Sequence, residues 1–137
     1  MRADLQKELD ELITAVRRSL ELAGLPVFLI SEDRRFDGVR IWSDVEVSLM
    51  GEESGVVFAE WRHSAELVSL AMADDEEGSS ATPESQYYDA VGDVMRAAMI
   101  SILTAAGFLV AQAPDDSDYF QLLYIQKGAE PPITSGL

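Results

Sequence analysis

With 137 residues, 47% of them apolar, the chain has the length of one domain and enough apolar content to bury a core without covalent staples. It contains no cysteine, which excludes disulfides, thiolate zinc sites, iron–sulfur ligation and a cysteine nucleophile. The net charge of −15 is uneven: residues 1–73 hold eight Lys/Arg against fourteen Asp/Glu, and residues 74–137 hold two against eleven. Such a field repels phosphate backbones, so a basic protein surface is the expected partner and nucleic acid is not.

The first sixteen residues, MRADLQKELDELITAV, carry carboxylates where a signal peptide needs an apolar run. No stretch reaches the ~20 apolar residues of a spanning helix, so a soluble cytoplasmic protein without membrane contact is expected. Residues 2–23 place Leu5, Leu9, Leu12, Ile13, Val16 and Leu20 on one helical face, with Gly24 as the stop. LPVFLI, residues 25–30, reads as a short buried strand and SEDRRFDG as a polar loop.

From Val39 to Met50 the chain alternates, with Val39, Ile41, Val45, Val47 and Leu49 on one face and Arg40, Trp42, Asp44, Glu46 and Ser48 on the other. GVVFAEWR, from Gly55, is its expected hairpin partner across the GEESG loop. Pairing Met50 with Val56 keeps the apolar residues together, whereas a one-residue slip opposes Val47 with Glu60. In the favoured register Asp44 faces Arg62 and Glu46 faces Glu60, with Trp42 and Phe58 nearby. Trp42, Glu46, Phe58 and Glu60 are thus candidate protein-binding residues on a shallow face of aromatics and paired acids. The competing reading covers Trp42 and Phe58 with a helix or loop and leaves the glutamates in water.

Residues 63–73 predict a short helix capped by Ser64, with Leu67, Val68, Ala71 and Met72 inward, followed by a mobile acidic loop over 74–80. The central helix runs from the N-cap Thr82, through Pro83, to a closing Gly107. Tyr88, Val91, Met95, Ala98, Met99, Ile102, Leu103 and Ala106 follow the helical period, and Tyr87, Val94, Ala97 and Ile100 widen the apolar arc. Such a helix needs cover on more than one side, from the sheet and other helices or from a second subunit. Tyr88, Met95 and Met99 therefore belong to a face that is either core or dimer contact.

FLVAQA and YFQLLYIQ read as strands joined by PDDSD, apolar on both faces and expected to be covered from two directions. The remaining residues lack periodicity and are expected to fray. One internal echo is visible: LELAGLPVFLI and LTAAGFLVAQA each run from a helix through Ala-Gly into a strand, followed by an acidic loop and a second strand.

His63 is the only histidine, which rules out a multi-histidine metal site within one chain, and no nucleophile accompanies it as a base. Gly-x-Ser-x-Gly, phosphate-cradling and dinucleotide motifs are absent from the sequence. DDEEG and PDDSD cluster oxygen ligands but do not fit the EF-hand loop. The reading assigns no catalytic residue, metal or cofactor.

The fold class that results is α+β: a single domain over residues 1–127, with about five strands in an antiparallel or mixed sheet, in the order α-β-β-β-α-α-β-β, and a flexible tail over 128–137. In size, acidity and element order the chain resembles the class I chaperones of type III secretion. That resemblance implies a dimer that holds effector segments without catalysis; the carboxy-terminal helix of that family has no counterpart here. The function expected is a non-enzymatic acidic protein-binding module, chaperone-like or an adaptor or inhibitor of immunity type, forming a homodimer. The alternative is a small-molecule binder or unfamiliar enzyme whose pocket lies between sheet and central helix, with Tyr87, Tyr88, Trp61 or His63 as polar handles.

Overall fold

A computed structural model of the chain describes residues 2–32, 37–47, 49–51, 53–73, 82–112 and 122–137. Its elements are α1 (Arg2–Leu22), β1 (Val27–Leu29), β2 (Gly38–Val47), β3 (Glu53–Arg62), α2 (Ala65–Met72), α3 (Pro83–Ala106), β4 (Leu109–Gln112) and β5 (Leu123–Gln126), with 3-10 turns at Ile30–Glu32 and Ile133–Gly136. The strands form one mixed sheet in the order β1-β2-β3-β5-β4, parallel between β1 and β2 and antiparallel elsewhere. This is the α+β architecture that the patterning predicts, in the predicted order.

The two long helices end in the same motif, and that motif starts both edge strands. In α1 the Leu25 N–H donates to the Leu20 carbonyl at 3.0 Å and the Gly24 N–H to Glu21 at 2.9 Å; in α3 the corresponding bonds run from Phe108 to Leu103 at 3.1 Å and from Gly107 to Thr104 at 3.0 Å. Both glycines are left-handed, with φ of 95° and 108°. These are paired Schellman turns, and they account for the sequence echo. The echo extends to topology only in part, since β1 runs parallel to its successor and β4 antiparallel. At its other end α3 carries a reciprocal capping box: the Ser85 N–H donates to Thr82 Oγ1 and the Thr82 N–H to Ser85 Oγ.

A parallel pair ordinarily needs a crossover of about a dozen residues. Here residues 30–37 suffice, because a three-residue β1 requires the chain to retreat only ~10 Å. The close fit falls on Gly38, where φ is 130° and a Cβ would stand 2.5 Å from the Pro26 carbonyl oxygen. The neighbouring Val39 N–H donates to that same oxygen at 2.9 Å.

Side chains at odd positions of β2, β3 and β5 face α1 and α3. Val16 and Leu20 of α1, Met99 and Leu103 of α3, and Val39, Ile41, Val57, Leu123 and Ile125 of the sheet are fully buried in one cluster. Met99 is thus core.

Three expectations are corrected. The β2–β3 register pairs Ile41 with Ala59, Trp42 with Phe58 and Arg40 with Glu60, and Glu46 lies opposite Ser54 rather than Glu60. This register differs from the expected one by six residues, an even number, so both bury the same faces and alternation cannot separate them. The observed register replaces a glutamate pair by the Arg40–Glu60 ion pair and leaves Leu49 and Met50 exposed in the turn. Second, α2 buries no residue: it packs on α3 rather than the sheet, so Val68 and Met72 are exposed instead of inward. Third, β4 is an edge strand with Leu109 and Ala111 exposed, not a strand covered on both faces. The 128–137 tail carries a 3-10 turn beside α1, where the Ser19 and Thr134 hydroxyls are 2.6 Å apart and Ser19 is buried. The 74–80 loop and the PDDSD link lie outside the described residues.

Gly38→Ala should destabilise the fold by about 2 kcal/mol or more, since it combines a left-handed non-glycine residue with a backbone clash. Urea denaturation checks this, and a loss below about 0.5 kcal/mol contradicts the tight β1–β2 return.

Candidate functional site

At the end of β3 the alternation that buries Val57 and Ala59 continues to Trp61 and His63. There the amino-terminal half of α3 meets the strand end, and the short α2 packs on α3 beside it. Ser64 turns the chain by capping α2, its Oγ accepting from the Leu67 N–H at 3.1 Å. The His63 ring rests on Tyr88 with centroids 3.9 Å apart. Gly92 of α3 lies opposite: a Cβ there would stand 3.4 Å from His63 Nε2 and 3.3 Å from Arg96 Nη1. An interior helical glycine costs about 1 kcal/mol relative to alanine, and here it lets the imidazole and the guanidinium lie against the helix backbone.

Two clefts flank this wedge. One, of about 590 Å³, is an open groove between α2 and the start of α3, with Leu67, Leu70, Pro83, Tyr87 and Val91 among its apolar lining and Asp37, Glu66 and Glu84 as its acids. The other, of about 640 Å³, is lined by Glu60, Arg62, Tyr88, Asp89, Asp93 and Arg96, among others. Trp61 and His63 line both and form the wall between them.

The two clefts differ in charge. In the second, Arg96 pairs with Asp93, and Glu60 pairs with Arg40, so its cations and anions answer each other locally. In the groove the three carboxylates meet no lining cation and make no ion pair among the described residues. Glu66 and Glu84 sit in the first turns of α2 and α3, beside the positive ends of the helix dipoles. Beneath the shared wall, Trp61 Nε1 and His63 Nδ1 are buried without a hydrogen-bond partner. Burial lowers the His63 pKa below its usual 6.5, Arg96 lowers it further, and Asp89 opposes them, so the ring is neutral at neutral pH.

The residues singled out in sequence separate into two places. Trp42, Phe58 and Glu60 lie on the opposite face of the sheet. Trp42 and Phe58 are half-buried, stacked with centroids 5.5 Å apart, and Tyr124 meets Phe58 edge-on at 4.9 Å. Arg40 lies over the Trp42 ring while holding Glu60. These rings pack on one another and stay half-buried. Glu46 shares that face by register, and its side chain is outside what the structure describes. Trp61, His63, Tyr87 and Tyr88, by contrast, converge on the wall and groove, while Met95 is half-buried farther along α3.

Sequence reasoning missed Leu70, Glu66, Glu84, Arg96 and Gly92. Gly92 had a usable signal, since a glycine inside an apolar helix marks a close approach. Among the described residues no three of His, Asp and Glu converge as metal ligands. Comparison with known proteins finds no matching family model, curated protein or solved structure.

Because His63 is the only histidine and its folded pKa is depressed, unfolding takes up a proton that the native ring resists. Stability should therefore fall as pH drops below about 6.5, and His63→Gln should flatten that slope. Chemical denaturation between about pH 5.5 and 7.5 measures both slopes. Equal slopes in the two proteins contradict the buried, neutral ring.

Proposed function

We propose that this protein is a non-enzymatic acidic binding module that holds a segment of a basic partner protein in the groove between α2 and α3. The observation that carries this reading is the groove itself: it is open, apolar along its walls, and bordered by carboxylates with no cation among its described lining residues. Leu70 is 49% exposed and Tyr87 63% exposed, side chains that a helix pair of this size would ordinarily turn inward. The −15 net charge favours encounter with a cationic partner over longer range.

Chaperone-like, adaptor and inhibitor roles all use such a surface, and a homodimer would draw on the same uncovered side of α3, where Val94 is 64% exposed. One observation favours the small-molecule alternative, the unpartnered Trp61 and His63 nitrogens at the wall. It is the weaker reading, because Arg96 of the second cleft is held by Asp93 and its Glu60 by Arg40.

Leu70→Gln combined with Tyr87→Gln tests the module, since both positions are exposed and each change should alter stability by no more than about 0.5 kcal/mol. Affinity capture from a lysate of the protein's own source should return a stoichiometric basic protein with the wild type and lose it with the double variant. Raising the wash from about 0.05 to 0.5 M salt should weaken retention roughly tenfold. Identical recoveries from the two baits, or recovery of the bait alone, reject the proposal. A monomeric mass by light scattering at high micromolar concentration removes the dimer.

A further inference from the structure

We infer that the occupant of the α2–α3 groove is a protein segment with a lysine or arginine beside apolar side chains, the cation facing the acidic lining that Asp37, Glu66 and Glu84 supply. This rests on the binding-module reading and names its partner's chemistry. The argument starts from charge. Two helices begin at the groove, and helix amino-termini by themselves attract anions, with about +0.5 elementary charge each. Against these stand three full carboxylates, leaving about −2 among the described lining residues. The acids therefore win, and an anionic segment is repelled.

Apolar complementarity gives the second half. Leu67, Leu70 and Val91 offer aliphatic surface, and Trp61 and Tyr87 bring aromatic faces to the same lining. A guanidinium or ammonium is weakly held by exposed carboxylates alone, because water competes and salt screens. Beside aromatic faces it also gains cation–π attraction, and its aliphatic stem covers apolar surface. A segment lacking the cation would leave the three carboxylates partly desolvated and unpaired. One lacking the apolar side chains would leave Leu70 and Tyr87 in water. The occupant that answers both walls carries both groups close together in sequence.

The neighbouring cleft supplies the internal contrast. Arg62 and Arg96 line it together with Glu60, Asp89 and Asp93, and its ion pairs are already formed within the chain. With Arg40, which holds Glu60 from outside the lining, its three cations equal its three acids, leaving no surplus to select a cation. Selection belongs to the groove.

The test is selection of a random twelve-residue peptide library, displayed on phage, against the whole protein. The most enriched sequence is then made as a fluorescein-labelled peptide and titrated by anisotropy. Enrichment of Lys or Arg beside Leu, Ile, Phe or Trp is expected. Affinity should fall at least tenfold in Glu66→Gln/Glu84→Gln and also in Leu70→Gln/Tyr87→Gln. Glu66→Lys/Glu84→Lys should turn selection toward Asp and Glu, with circular dichroism verifying that each variant keeps its helices. Peptides that need Leu70 and Tyr87 but show no basic enrichment, and bind the Gln pair unchanged, overturn the cation seat while leaving the module standing. Peptides indifferent to Leu70 and Tyr87 overturn the groove and the module together. A library that yields no enriched sequence overturns the segment as occupant.

Discussion

The inner face of the sheet is the surface on which the rest of this structure depends, because its central rows are apolar and two amphipathic helices must share the covering of them. Val39, Ile41, Val57, Leu123 and Ile125 rise from three adjacent strands to meet Val16 and Leu20 from α1 and Met99 and Leu103 from α3. Each such side chain contributes about 1.5–3 kcal/mol on leaving water, a term no surface ion pair of this chain approaches. The helices hold the sheet, and their glycine-terminated ends aim the chain into its two edges. Once α1 and α3 are placed, the mixed order β1-β2-β3-β5-β4 follows with short connections.

That arrangement leaves one end of the sheet short of cover. The core-facing stripe of α3 is used by Met99, Leu103 and Ala106 near its carboxyl end, while the first half of the helix meets the end of β3 at His63 and the eight-residue α2. Two short surfaces cannot bury each other completely. Leu70, Tyr87 and Val94 remain in water, and the groove is the geometric residue of that mismatch. The acids at its mouth are placed by an independent rule, since first-turn carboxylates stabilise the helices they begin. An apolar surface and a negative potential thus meet for separate reasons, and their coincidence gives the surface its selectivity.

The wedge of His63, Tyr88 and Gly92 ties these parts together. Gly92 weakens α3 locally, yet it admits an imidazole and a guanidinium at ring-contact distance from the helix. With Trp61 Nε1 and His63 Nδ1 unpaired under the wall, this is the least satisfied polar spot of the described structure beside Arg40 Nε. Polar groups left without partners in a packed region are where a fold yields first. The wall between the two clefts is therefore also the place where a bound segment or a proton would be felt.

Local chemistry was legible in the chain itself. Thr82, Pro83 and Gly107 mark the ends of α3 because capping and left-handed termination are decided within five or six residues, and Ser64 marks α2 for the same reason. The α+β class and the element order follow from periodicity, which the buried faces enforce. Tertiary structure decided what periodicity cannot carry. The six-residue choice of register moved Glu60 from Glu46 to Arg40, because an even shift leaves the buried pattern unchanged and only cross-strand partners distinguish the two. It turned Trp42 and Phe58 toward each other and left Leu70 and Tyr87 outside, because burial is settled by which elements run out of neighbours. It also placed Asp37, Glu66 and Glu84 along the lining of one groove, a placement that no spacing along the chain records.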